Sequence, residues 1–461
     1  MRLLRLRRCG AAADPVSDEL IAANLPGAPG RGRDEGSCCS SAPSSSGGYS
    51  SSGSDSDEGE CEGRAGARGR RARRESSASC ASDSELGGGC GGGCGGGLLR
   101  TAHSATTPDG WRLHLHRVRA PAGAAPARRH PVVLCPGLAS GGIESFDLDP
   151  RVSMAAHLAR RGYDVWVPDL RGNGRSDRPS WWDRSTWWTV DEHLALDLPT
   201  VIAAVLAETG AASVHWVGHS MGGMLAVGAL SRGLECASAL RSVTLLASGC
   251  FGAGSWHSLV GPGVRAVAAA GFHAGHVVPF VSRLRGALAP LAWAVQSLFF
   301  VRSNVDPEIG AKLMGSFLSF IPSGVVAQFM GSLNSELGIS SSDGSFNYAD
   351  PKALAHVSTP VFGINGARDL FCPAAGGLKT ISMFKGPHRR FLFLGPAYGT
   401  AKDNYGHFCP LVGRRAPVEV FPQIEAFISE FDAPHGAWPA PPASPLPVPA
   451  PVAPAGPAGV A

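Results

Sequence analysis

Short apolar runs alternate with helical patterns through the middle of the chain, and their order predicts the fold. Runs typical of buried strands cover 132–135, 165–167, 214–217, 243–246, 361–364 and 391–394. Between most of them, apolar residues at helical spacing predict helices over 152–161, 193–208, 221–232 and 418–429. The segment 111–118 follows a Pro-Asp-Gly turn and alternates as an antiparallel strand does. We therefore predict an α/β protein with a mostly parallel central sheet covered by helices on both faces.

The two ends of the chain lack this pattern. Residues 1–97 consist largely of serine and glycine runs with few large apolar groups, and residues 433–461 are rich in proline and alanine. Such segments bury too little apolar surface to offset the entropy that ordering costs, so we expect both to be disordered. One folded domain, residues 98–432, is what remains.

A candidate nucleophile lies where a predicted strand meets a predicted helix. The sequence there is Gly218-His219-Ser220-Met221-Gly222, a Gly-x-Ser-x-Gly motif in a strand–turn–helix context. In this context the serine occupies the tip of a strained turn, with its hydroxyl clear of the backbone. Side chains at Gly218 and Gly222 would collide where the helix crosses the strand. A plain tight turn is the alternative, and the flanking strand and helix favour a catalytic serine.

Two further residues complete a candidate catalytic triad. Asp369 follows a buried strand and a turn, and His407 lies in a loop before the last predicted helix. Taken alone, the aspartate could cap a loop and the histidine could lie at the surface. The order serine, acid, histidine differs from both well-known protease orders. We expect His407 to take the proton from Ser220 and return it to the leaving group, while Asp369 orients the imidazole.

With these motifs in this order, residues 108–431 resemble the α/β-hydrolase superfamily, in its lipase and esterase branch. Residues 131–138 resemble the strand that ends in His-Gly before the oxyanion hole, and residues 164–176 are similar to the family's Asp-x-Arg-Gly-x-Gly-x-Ser loop. The segment 405–422 looks like the histidine loop and last helix of acid-lipase-like members.

The resemblance also places the oxyanion hole. Its donors would be the backbone N–H groups of Leu138 and Met221, the second being the residue after the nucleophile. Pro136 departs from the family pattern, which usually has histidine before the glycine. Proline removes its own N–H but not that of Leu138, so the predicted chemistry is unaffected.

An insertion without strand patterns occupies residues 251–359. It is apolar, helix-compatible and divided by glycines and prolines, and it looks like the family's lid or cap over the serine. The nearly uncharged stretch 286–301 contains Pro290 and Gln296 and is short for a membrane span, which favours a buried lid helix. Peripheral contact with a lipid surface remains open.

Several large apolar residues are candidates for an acyl pocket. The insertion supplies Trp293 and Leu298. Two tryptophan pairs follow the fourth strand's loop and could equally pack the cap against the core: Trp181, Trp182, Trp187 and Trp188.

Charge and cysteine content bound the partners and the compartment. The net charge of +4 includes an arginine cluster between Arg64 and Arg74, which we interpret as a solvated linker and not as a nucleic-acid site. Of the 12 cysteines, seven lie in residues 1–97, and their spacing suggests neither a zinc site nor a disulfide framework. We predict no metal and no cofactor. A reducing, intracellular compartment fits best, and the arginine-rich start leaves an organellar transit peptide open.

These observations predict a serine hydrolase that cleaves a carboxylic ester, with a lipid-like acyl substrate and no obligate protein partner. A thioesterase or an acyltransferase could use the same triad. A non-catalytic ligand-binding protein with the same fold is the alternative from another class, and labelling by a fluorophosphonate would separate it from an enzyme. The physiological substrate, its acyl length and the oligomeric state do not follow from the sequence.

Overall fold

The computed structural model describes residues 97–125, 127–179, 188–252, 255, 296–316, 321–332 and 335–432. A single eight-stranded sheet runs through these residues in the order β1-β2-β4-β3-β5-β6-β7-β8. Its strands are β1 Leu99–Thr106, β2 Arg112–Arg119, β3 Val132–Cys135, β4 Val165–Pro168, β5 Val214–His219, β6 Leu240–Leu246, β7 Val361–Gly366 and β8 Arg389–Leu394. The predicted α/β class with a mostly parallel sheet is confirmed.

One edge of the sheet is antiparallel and the rest is parallel. β2 pairs antiparallel with both β1 and β4, as its alternating pattern predicts. The pairs from β3 to β8 are parallel. β1 was not predicted, because an edge strand that is mostly exposed carries no apolar alternation.

Helices follow most of the parallel strands. They are α1 Gly142–Phe146, α2 Met154–Arg160, α3 Leu198–Thr209, α4 Met221–Arg232, α5 Pro307–Ser316, α6 Ser323–Ser332, α7 Pro351–Leu354, α8 Ala374–Met383, α9 Cys409–Val412, α10 Ala416–Glu419 and α11 Phe421–Glu430. A short helix, Val190–Glu192, and a π-helical turn, His193–Asp197, lead directly into α3. A capping box of Thr189 and Glu192 starts this continuous helix.

The core lies on both faces of the sheet. Along β3, Val133 and Cys135 belong to one apolar cluster, whereas Val132 and Leu134 belong to the other. Helices α3 and α4 contribute to the first cluster, and α2 and α11 contribute to the second. Since both faces are covered, the strands are nearly continuous apolar runs, which explains why they were recognisable in the sequence.

The described parts of the 251–359 insertion combine helices with turns and irregular segments. They include residues 296–299 and α5 to α7. Within these parts, the only β-structure is the isolated bridges Val305↔Gly413 and Ser340↔Asn347. None of the helices in the described ranges is both long and apolar enough to cross a bilayer. Residues 1–96 of the predicted 1–97 tail and all of the predicted 433–461 tail lie outside the described residues.

The carboxyl ends of the central strands carry strained backbone. The only non-glycine residues with positive φ in the described ranges are Ala139, Ser220 and Ala247, after β3, β5 and β6 respectively. Such conformations cost about 1–3 kcal/mol each and persist where the surrounding fold holds them. All three residues lie at the carboxyl ends of the parallel strands, so this end of the sheet is the candidate functional site.

Candidate active site

Ser220 occupies the turn between β5 and α4. Its φ of 52° and ψ of −120° lie in a region that side chains rarely adopt. The Ser220 N–H donates to the Leu246 carbonyl at 3.0 Å, which ties the turn to β6. A Cβ added to Gly218 would lie 2.3 Å from the carbonyl carbon of Gly222, so helix and strand do cross too closely for a side chain. This geometry holds a serine hydroxyl out from the end of the sheet.

His407 and Asp369 form a buried pair at the same edge. The His407 Nδ1 lies 3.1 Å from Oδ1 and 3.0 Å from Oδ2 of Asp369. The Asp369 Oδ1 also accepts the N–H groups of Phe371 and Cys372, each at 2.9 Å. A carboxylate fixed in this way requires the proton on Nδ1, which leaves the Nε2 lone pair free to act as a base.

The His407 imidazole is packed between aromatic rings. Its centroid lies 4.8 Å from that of His219 and 5.0 Å from that of Phe371. Burial, together with the charge of His407, holds the pKa of His219 well below its usual range. His219 is therefore neutral, and its Nε2–H donates to the His407 carbonyl at 3.1 Å. This contact fixes the histidine loop against the strand that carries the serine.

The loop after β3 lies against the nucleophile. A Cβ added to Gly137 would fall 2.9 Å from the Ser220 Cβ, so only glycine allows this approach. Neither the Leu138 nor the Met221 amide donates to a turn or loop carbonyl in the described part of the chain. Two such amides next to a serine suit the developing oxyanion of an acyl-transfer reaction.

The Asp169 carboxylate holds the loop after β3 in place through backbone hydrogen bonds. Its Oδ1 accepts the N–H of Gly142 at 2.6 Å and its Oδ2 accepts the N–H of Arg175 at 2.8 Å. Gly142 is the first residue of α1, which follows the loop directly. Asp169 thus joins the β3 loop to the β4 loop, a role that the Asp-x-Arg-Gly motif alone does not reveal.

Sequence reasoning missed one neighbour of the serine. The Cys372 thiol is buried, and its pKa responds to the nearby Ser220 side chain. Burial, and then the charge of Asp369, raises the pKa of this thiol well above its usual range. A thiol that stays protonated does not compete with Ser220 as a nucleophile. The sequence feature that could have indicated this neighbour is the position of Cys372 three residues after Asp369.

A family model described as alpha/beta hydrolase fold matches residues 130–264. These residues run from just before β3 to beyond β6 and include the turn at Ser220. The chain has the α/β-hydrolase fold.

Several lipases share sequence with this chain. Lipase 1 of Drosophila melanogaster is 37% identical over 128 residues, which cover 26% of this chain and 27% of that protein. The tear acid lipase-like protein of Mesocricetus auratus is 33% identical over 156 residues, which cover 32% of this chain and 38% of that protein. The chain thus spans between 27% and 38% of the length of these two relatives.

A solved esterase from Thermogutta terrifontis is also similar. It is 20% identical, with a TM-score of 0.48, over 72% of this chain and 99% of that one.

The candidate pocket residues fall into those outside the described residues and those within them. Trp181, Trp182, Trp187 and Trp293 lie outside the described residues. Trp188 is buried in the core, where its indole N–H donates to His193 at 3.1 Å and its ring meets Trp111 at 5.0 Å. These contacts support the packing interpretation of Trp188.

Leu298 lies within the described residues, next to Phe299 in the chain. It is partly buried in the helical residues 296–299. Its neighbour Phe299 stacks on Phe371 with ring centroids 4.9 Å apart, and Phe371 contacts His407. The Phe299 carbonyl accepts the Phe408 N–H at 2.9 Å, which fixes this end of the insertion beside the histidine loop.

Proposed function

We propose that this protein is a serine hydrolase that cleaves a carboxylic ester through Ser220, His407 and Asp369. The observation that carries the proposal is the His407–Asp369 pair at the same sheet edge as the strained Ser220 turn. The similarity to proteins named lipases supports an enzyme over a ligand-binding protein.

The chemistry follows from the arrangement. The Ser220 Oγ attacks the ester carbonyl carbon while His407 Nε2 accepts the hydroxyl proton. The Leu138 and Met221 N–H groups stabilise the negative oxygen of the tetrahedral intermediate. His407 then gives its proton to the departing alkoxide, which leaves an acyl-serine and a free alcohol. Water repeats the sequence with the same base, releasing the carboxylic acid and restoring Ser220.

The substrate is an ester with an apolar acyl chain. Phe371 and the Phe299 ring stacked on it offer apolar surface beside His407, and the partly buried Leu298 precedes Phe299 in the chain. Apolar side chains with a few polar groups are typical of a site for a lipid-like molecule. The relatives at 37% and 33% identity are named a lipase and an acid lipase-like protein, respectively.

The proposal also includes the domain organisation of the chain and its location in the cell. Residues 98–432 form the hydrolase domain, residues 251–359 supply the lid, and the two tails stay outside the packed core. We further propose an intracellular location, supported by the five free, buried cysteines of the described domain.

Labelling with a fluorophosphonate tests the proposal directly. The full chain should react covalently at one serine, and peptide mapping should find the probe on Ser220. Ser220→Ala should remain folded, lose labelling and lose ester hydrolysis by about 10⁴-fold or more. Ser248→Ala is a control beside the elbow, because Ser248 Oγ donates to the Ser220 carbonyl and not to the reacting atoms. Labelling that persists in Ser220→Ala would contradict the assignment.

A further inference from the structure

A second polar cluster lies near the amino-terminal ends of the central strands, whereas Ser220 lies at their carboxyl ends. His130 lies two residues before the start of β3, His215 is the second residue of β5, and Asp432 lies two residues after the end of α11. All three are buried, and one potential ligand atom from each lies within 4.8 Å of the others. His215 and Ser220 are five residues apart along β5, about 17 Å at the rise of a strand. The cluster is thus separate from the proposed active site.

His215 has one ring nitrogen engaged and one open. Its Nδ1 lies 2.8 Å from the Ser242 Oγ on neighbouring β6. Its Nε2 is buried and has no hydrogen-bond partner within the described residues. A buried nitrogen without a partner costs free energy unless something binds it.

Asp432 brings a negative charge to this point. Its carboxylate lies 2.8 Å from the His130 Nδ1 and accepts the Arg129 N–H at 3.2 Å. Its charge acts on His215 as well. Two imidazoles and a carboxylate form a ligand set that suits zinc and similar divalent ions.

A further buried polar group without a hydrogen-bond partner in the described ranges lies beside the cluster. The Tyr163 ring packs edge-on against His215 at 6.3 Å, and the Tyr163 hydroxyl is buried without a partner in the described ranges. The cationic groups facing the cluster are Arg128, 5.1 Å above the Tyr163 ring, and Arg241. The Arg241 Nε donates to the Phe431 carbonyl at 2.8 Å, so it supports the backbone beside Asp432.

We propose that His130, His215 and Asp432 bind a divalent transition-metal ion of the zinc class. Ser242 would hold the His215 ring in the required tautomer, as groups behind metal-binding histidines do. Ligands that lie within 4.8 Å of one another need to move inward by less than about 1 Å each to reach bonds of about 2.1 Å. The ion would fasten the end of α11 to the starts of β3 and β5, and so stabilise the fold independently of the proposed hydrolysis.

Metal titration of the full chain tests this site. The protein is stripped with a chelator, and cobalt(II) chloride is added while visible absorption is followed. Bands of nitrogen- and oxygen-bound cobalt should saturate at about one ion per chain. Zinc chloride should displace them and raise the melting temperature by about 4 °C or more over the chelated protein. Seven cysteines lie in residues 1–97, and cobalt bound there would show thiolate charge-transfer bands instead.

Variants separate this site from adventitious binding. Asp432→Asn and His215→Gln should lose the cobalt bands and the zinc-dependent rise in melting temperature. Ser242→Ala keeps all three ligands and should weaken cobalt binding by about 10–100-fold, which gives a test even if the ligand variants fold poorly. His157→Gln is the control, since His157 pairs with Glu425 at 3.0 Å outside the cluster.

Two results would overturn the proposal. One is a wild-type protein whose cobalt bands are all of the thiolate type and whose melting temperature does not respond to zinc. The other is cobalt binding that is equally strong in wild type, Ser242→Ala and Asp432→Asn. Either result would identify the cluster as a buried histidine–aspartate pair without a metal.

Discussion

The His407 Nδ1 lies 3.0 Å from the nearer oxygen of Asp369, although 38 residues separate them in the chain. The two meet because β7 and β8 are parallel neighbours, so the segments that follow their carboxyl ends share one edge of the sheet. The carboxylate is held by the Phe371 and Cys372 amides as well, so it directs the imidazole from a fixed position.

Replacing Asp369 by Asn should therefore remove most of the activity without unfolding the protein. The amide oxygen can still accept the Phe371 and Cys372 N–H groups, but its NH₂ group favours the wrong tautomer of His407. We expect kcat to fall by about 10⁴-fold with little change in KM. Steady-state kinetics on a soluble chromogenic ester would measure this, with circular dichroism to confirm folding. A change in KM alone would mean that Asp369 does not orient the base.

A methyl group at Gly137 should misplace the oxyanion loop. The new Cβ would lie 2.9 Å from the Ser220 Cβ, so either the nucleophile or the loop that carries Leu138 must shift. Displacements of about 1 Å at such a site cost about 10²-fold in rate, and we expect Gly137→Ala to lower kcat by that amount. Gly97→Ala is the matched control, because nothing lies within 4 Å of the added Cβ. Equal kcat values for Gly137→Ala and Gly97→Ala would mean that the position of this loop does not affect catalysis.

Asp147 should make stability depend on pH in the acid range. Burial would raise its pKa, but hydrogen bonds with His116, Arg100 and Ser153 outweigh burial and lower it from 3.8 to about 2. The folded pKa is thus below the unfolded one, so the contribution is complete above about pH 4 and is lost as the pH falls toward 2. A lowering of this size corresponds to about 2 kcal/mol at neutral pH.

Urea unfolding of Asp147→Asn and wild type from pH 7 to pH 3 would measure this contribution. The difference in unfolding free energy should be largest at pH 7 and shrink at low pH. Asp177→Asn is the control, because Asp177 makes an exposed ion pair with Arg112 and should cost less than about 1 kcal/mol. A difference that stays constant with pH would contradict the assignment to Asp147.

Most of the fold could be predicted because its strands are buried on both faces. Apolar runs of three or four residues identified β3 to β8 within a few positions, and the Gly-x-Ser-x-Gly motif located the turn at Ser220. β1 escaped because an exposed edge strand is held by backbone hydrogen bonds, which leave no mark on side-chain pattern. Helix α8 escaped because its two adjacent glycines, Gly376 and Gly377, obscure helical spacing.

Contacts between distant residues could not be predicted from local pattern. His130 and Asp432 are 302 positions apart, and only the sheet order and the end of α11 bring them together. The same holds for Asp169, whose carboxylate reaches across to Gly142. Motifs identify residues whose chemistry is local, whereas partners supplied by the packing of separate elements require the folded chain.

Acyl-chain preference should depend on Leu298. This residue is partly buried beside Phe299, whose ring stacks on Phe371 next to His407, so a larger side chain would narrow the space near the reacting carbonyl. Each methylene that loses its apolar contact costs about 0.8 kcal/mol, or roughly a fourfold loss in kcat/KM per carbon. Leu298→Trp should therefore lower kcat/KM progressively for longer acyl chains while acetate esters change little, since the triad is untouched. Hydrolysis of a chain-length series of chromogenic esters measures this, and Leu337→Trp, at an exposed leucine of the same insertion, is the control. A uniform loss at every chain length would mean that Leu298 only stabilises the fold, and the acyl chain would then have to bind elsewhere around Ser220.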